Sequence, residues 1–189
     1  MDPVTRKVTK SIRKAGVARS DSTPVAPREW KIHCTFESRK LRIPLRWIRT
    51  VISEVLCHAE RDVKISEVCE LNVLFTDDKR MRVINREYRN KDKATDVLSF
   101  PQFQPQEIRG RRKARGVIGS YLGDLVISTD TTFRQAKEFG VTPRDELLRL
   151  IVHGILHLCG YDHEGVPAAE AQKMRRRERQ IRDRVSKTL

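Results

Sequence analysis

Residues 153–163 read HGILHLCGYDH, and three of the five histidines in the chain fall within them. This stretch restricts the fold more than any other. The run before it, TPRDELLRLIV, opens with helix-start signals: Thr142 as a cap, Pro143 in the first turn and Asp145 placed to reach back. His153 and His157 are four residues apart in the helix that follows, so their rings project from one face. Gly160 accepts the left-handed conformation that ends a helix and reverses the chain. His163 then closes a third corner. Three imidazoles and one open position form the catalytic type of zinc coordination, which predicts one Zn2+ per chain at the C-terminal end of a helix. No cysteine is spaced to make a fourth ligand, and Cys159 points away from His157 and reads as core. The alternative is a histidine-rich helix end whose rings are merely hydrogen-bonded.

The rest of the chain supplies the frame. REWKIHCTFES alternates Trp30, Ile32, Cys34 and Phe36, the pattern of a half-buried strand with His33 on its opposite face. Pro44 opens a helix with an apolar face of Trp47, Ile48, Val51, Ile52, Val55 and Leu56. CELNVLFTD is a second strand, and DDKRMRVINREYRN a helix with Met81, Ile84 and Tyr88 on one side. TDVLSFP, stopped by Pro101, and GDLVIST are the third and fourth strands. A helix from about Thr131 ends at Gly140, and a last helix over about 167–186 carries a thin stripe of Met174, Ile181 and Val185 among arginines. Interleaved strands and helices without repeats predict one α+β domain over 28–189, a small sheet covered by helices.

Charge bears on partners. Lys and Arg outnumber Asp and Glu 39 to 25, for a net charge of +14, which favours a polyanion and most simply nucleic acid. Residues 1–27 read as a basic disordered arm, and Gln102 to about Tyr121, with RGRRKARG, as a long basic loop. Cys34, Cys57, Cys69 and Cys159 form no C-x-x-C pair, which predicts reduced, mostly buried thiols and a cytoplasmic protein. No apolar run approaches the roughly 18 residues that span a membrane. The Arg/Lys/Ser-rich N-terminus leaves an organelle transit peptide open, and Asp2 and Asp21 count against it.

The spacing H-x3-H-x2-G-x2-H is that of metzincin peptidases, but those enzymes carry Glu directly after the first histidine, as general base, where this chain has Gly154. Peptide hydrolysis is therefore disfavoured. HGILHLCGYDH resembles instead the signature of the YbeY family of metal-dependent endoribonucleases that mature ribosomal RNA. YRNKDKATDVLSFP (Tyr88–Pro101) and LGDLVIS (Leu122–Ser128) are similar to two further segments of that family, in the same order, and the likeness covers roughly residues 30–185. The resemblance implies a small mixed sheet wrapped by helices. It implies zinc held by His153, His157 and His163, and a functionally important arginine at Arg89. It also implies association with the small ribosomal subunit and its assembly proteins.

The chemistry agrees with that implication. Zinc brings the pKa of bound water to around 7 and polarises a phosphoryl oxygen, and an arginine holds phosphate charge bidentately. The other role open to Arg89 is a salt bridge to Asp92 or Asp96. Asp96, Ser99 and Asp124 are candidates to line the cleft or brace ligands, and Asp162 to accept a proton or orient a histidine. Two functions fit: a nuclease specific for single-stranded RNA, and a non-catalytic RNA-binding assembly factor with a structural metal.

Overall fold

The computed structural model describes residues 29–59, 68–103 and 121–189. The expected basic arm and most of the expected basic loop, including RGRRKARG, lie outside the described residues.

The elements follow in the order β1 (Glu29–Phe36), α1 (Leu45–Ala59), β2 (Val68–Thr76), α2 (Asp78–Arg89), β3 (Val97–Pro101), β4 (Tyr121–Ser128), α3 (Thr129–Phe139), α4 (Pro143–Leu158) and α5 (Ala168–Thr188). The strands form one mixed sheet, in the order β1-β2-β4-β3. The first three are mutually parallel, and β3 runs antiparallel along the edge beside β4. The expected α+β class and the expected segments are all present. No helix among the described residues is long and apolar enough to cross a membrane.

The sheet is covered unequally. On one face α1, α4 and α5 bury the main core, in which Leu71, Val73 and Phe75 of β2 meet Leu125 and Ile127 of β4 and the apolar side of α4. On the other face, among the described residues, α2 packs through Met81 and Ile84 against Leu98 and Val126. Tyr88 lies on the same side of α2 as Ile84 but is 67% exposed, and it meets the edge of Phe100 with ring centroids 5.2 Å apart. It sits in the last turn of α2, where the helix has already passed the border of the covered face. Of the thiols, Cys69 and Cys159 are buried, Cys34 is half-buried on edge strand β1, and Cys57 is exposed on α1.

Helix α4 is bounded as its sequence predicts. The Thr142 hydroxyl accepts from the Asp145 backbone N–H at 3.2 Å while the Asp145 carboxylate accepts from the Thr142 N–H at 3.2 Å, a capping box with Pro143 inside it. At the far end Gly160 adopts φ 80°, and the N–H groups of Gly160 and Tyr161 donate to the carbonyls of His157 and Leu156 at 2.9 and 3.0 Å. This is the double closure that a left-handed residue permits.

Midway along α4 the helix lies directly on β4 at Gly154. A Cβ added there would stand 2.2 Å from Cδ1 of Leu125, which is fully buried. A side chain at 154 must therefore push the helix or Leu125 out of place. Gly154→Ala is expected to gain about 1 kcal/mol of helix propensity and lose more to overpacking. The net expected loss is about 1–2 kcal/mol, read as a lower urea midpoint at unchanged slope. An unchanged midpoint would mean that Leu125 moves aside freely.

Candidate metal centre and active site

The three histidines converge. The Nε2 atoms of His153 and His157 are 3.2 Å apart, and the ring centroids of the trio are separated by 4.7, 5.0 and 5.1 Å. One nitrogen from each ring lies within 4.8 Å of the others. Zinc–nitrogen bonds of about 2.0–2.1 Å at tetrahedral angles place two donors about 3.3 Å apart, so the closest pair already has the spacing of ligands sharing one ion. The helical interval sets His153 above His157, and the Gly160 reversal brings His163 round. The backbone N–H groups of His163 and Glu164 both donate to Oδ1 of Asp162, at 2.7 and 3.0 Å, which fixes the loop. Asp162 thus shapes the turn; these bonds and the charges of His157 and His163 outweigh its desolvation and hold its pKa low.

The cluster is electrostatically prepared for a cation. Burial, reinforced by the adjacent His153 and His163, pushes the His157 pKa down to about 4, so its ring is neutral at pH 7 and keeps a lone pair available. Nδ1 of His163 is buried and has no hydrogen-bond partner among the described residues. A buried polar nitrogen without a partner is costly unless the site takes a ligand. The residues present therefore suit a divalent metal with nitrogen preference.

Behind His153 stands a group the sequence reading overlooked. Oε2 of Glu178, on α5, lies 3.4 Å from Nδ1 of His153. Desolvation works to raise the Glu178 pKa, but the His153 bond and the charges of Arg149 and Arg182 prevail, and it is lowered. A carboxylate at Nδ1 selects the tautomer whose Nε2 lone pair faces the ligand site. The signal was present: Ala171, Met174, Ile181 and Val185 are buried along α5, and Glu178 occupies the place in that stripe where an apolar residue belongs.

Arg89, the other expected functional residue, is the last residue of α2. Asn90 follows at φ 54° and turns the chain away. The alternative role, a salt bridge to Asp92 or Asp96, is not seen. Asp92 is gripped by Arg82 at 2.7 and 2.8 Å, and Asp96 is bonded by Arg149 at 3.2 Å. Arg89 is exposed and donates from Nη2 to the Ser99 carbonyl at 3.4 Å. Ser99 in turn donates from its hydroxyl to the Gly154 carbonyl at 3.2 Å. Arg89 thus joins edge strand β3 at the residue that joins α4 next to His153. Asp96 is a brace: with Glu146 and Gln135 it holds Arg149, one helical turn before His153. Asp124 is not at the histidines; it faces the sparsely covered side of the sheet and accepts from Asn72 at 2.9 Å.

Comparison with known proteins agrees with this geometry. The family model described as Endoribonuclease YbeY matches residues 33–186. The Endoribonuclease YbeY of Aquifex aeolicus is 48% identical over 120 residues, covering 64% of this chain and 73% of that protein. That of Azorhizobium caulinodans is 43% identical over 118 residues, covering 62% and 68%. A Thermotoga maritima protein solved in solution shares the fold, with a TM-score of 0.54 at 22% identity over 82% of this chain and 88% of its own. The match spans every element that carries the converging histidines, Arg89 and the β3 edge between them, and the chain belongs to the YbeY endoribonuclease family.

Proposed function

We propose that this chain is a zinc-dependent endoribonuclease that cuts single-stranded RNA during ribosomal RNA maturation in the cytoplasm, in association with the small ribosomal subunit and its assembly proteins. The observation that carries the reading is the convergence of His153, His157 and His163 around one point, with two Nε2 atoms 3.2 Å apart. These three residues would hold the ion. When bound, zinc supplies Lewis-acid polarisation of water and of a phosphoryl oxygen.

The protein groups divide the remaining work. Glu178 accepts from Nδ1 of His153 and keeps its Nε2 a donor of electrons. Arg89 meets the scissile phosphate. Among the described residues it makes one long bond, to the Ser99 carbonyl, which leaves N–H groups for a ligand, and a guanidinium holds two phosphate oxygens at once. Negative charge grows on the phosphate as the bond breaks, so this contact strengthens towards the transition state. Ser99 keeps Arg89 and α4 in register.

Elemental analysis should find about one zinc per chain. His157→Ala should lose the metal and RNA cleavage together while RNA binding remains; retained cleavage would refute the assignment, and a metal-loaded wild type that binds RNA without cutting it would favour a pure assembly factor. Arg89→Ala should cut RNA about a hundredfold more slowly with its metal in place. Loss of metal or of the fold in that variant would make Arg89 a structural residue. Glu178→Gln should weaken metal affinity about tenfold or more, measured by competition with a chelator, and unchanged affinity would remove the carboxylate from the site.

A further inference from the structure

Among the described residues, the sheet face that carries α2 is only half covered. Strand register lines up His33, Asn72, Asp124 and Phe100 in one row across all four strands. The next row, containing Leu74, Val126 and Leu98, lies against α2. The uncovered row floors a groove of about 580 Å3, with Tyr88 and Glu87 of α2 on its wall. That volume is within the roughly 300–1,000 Å3 of small-ligand sites.

The groove adjoins the active site across one strand. Residues alternate sides along β3: the Ser99 hydroxyl reaches α4, and Phe100 faces the groove. Two successive residues of α2 dock on these two, Arg89 on the Ser99 carbonyl and Tyr88 on the Phe100 ring. A phosphate at Arg89 therefore has an exposed aromatic ring one residue away. The lining is selective as well. Glu37 at one end of the groove is paired with Arg80 at 4.0 Å. On the floor beside Phe100 the Asp124 carboxylate can only accept hydrogen bonds, so it suits an amino group on a base. Asn72 already donates to Asp124 at 2.9 Å and to the Tyr121 hydroxyl at 3.1 Å, which fixes the direction of the floor's acceptors.

We propose that this groove is a nucleobase site, in which an amino-bearing base next to the phosphate held by Arg89 stacks on Tyr88 and donates to Asp124. The proposal rests on the endoribonuclease reading above and adds base selection to it. A cytosine N4 or adenine N6 amine satisfies the carboxylate, whereas uracil presents O4 to it. Stacking on Tyr88 serves any base, so the two contacts have separable effects.

The test is binding of labelled 2′-O-methyl hexamers of cytidine, adenosine and uridine, which resist cleavage, to the metal-loaded full chain. The C and A hexamers should bind about tenfold more tightly than the U hexamer. Tyr88→Ala should weaken all three about tenfold. Asp124→Asn should bring the three affinities together. Tyr88 is exposed, so its replacement leaves the fold intact and carries the test even if Asp124→Asn proves unstable. Equal affinity of the wild type for the three hexamers, or wild-type binding by Tyr88→Ala, would overturn the proposal. So would tight binding of an Arg-rich peptide that is lost in both variants while RNA binding is untouched, since the groove would then serve a protein. Cleavage of a longer RNA is scored separately. Base preference without cleavage defeats the nuclease reading alone, and cleavage without base preference defeats the groove alone.

Discussion

The close approach of α4 to β4 at Gly154 is the contact on which the site depends. With no Cβ in the way, the helix lies against Leu125, and its backbone comes within reach of the edge strand. The Ser99 hydroxyl can then bond the Gly154 carbonyl, and the Ser99 carbonyl is held where Arg89 finds it. A bulkier residue at 154 would lift the helix that carries His153 and His157 away from the strand that receives the arginine. In metzincin peptidases the corresponding place is occupied by a glutamate. Here it is filled by Leu125 of the core, so the same histidine spacing is set in a different surrounding.

Charge is distributed to match. Cations near the sheet are committed to acids: Arg82 and Arg86 to Asp92, Arg134 to Asp78, Arg149 to Asp96 and Glu146. Among the described residues Arg89 is bonded to a backbone carbonyl and to no acid. Burial, with His153 and His163 alongside, lowers the pKa of the His157 ring and favours its neutral form. The Asp96–Arg149 pair and Glu178 both act on α4, one bracing the turn before His153 and the other its ring.

Edge strand β3 has two working sides. Its pleat sends Ser99 towards α4 and Phe100 towards the groove, and the end of α2 caps both. Tyr88 is exposed although it shares a side of α2 with Ile84, because it stands in the last turn of the helix, over Phe100 at the sheet edge.

Local rules made much of this visible beforehand. Period-two alternation marked β1, the capping box and Gly160 bounded α4, and the four-residue interval put His153 and His157 on one face; each is a property of a few neighbouring residues. The convergence of the three histidines was therefore legible from HGILHLCGYDH alone. What spacing could not decide were relations between segments far apart in the chain. Glu178 meets His153 across 25 residues, Ser99 meets Gly154 across 55, and Asp124 faces Asn72 on the far side of the sheet from the histidines. Arg89 had two acids nearby in sequence and pairs with neither, because Arg82 and Arg149 reach them first. Which candidate braces a ligand, which shapes a turn and which lines a groove follows from strand order and the seating of α4 on β4. Those are set by burial of the whole core, a collective term that no single motif contains.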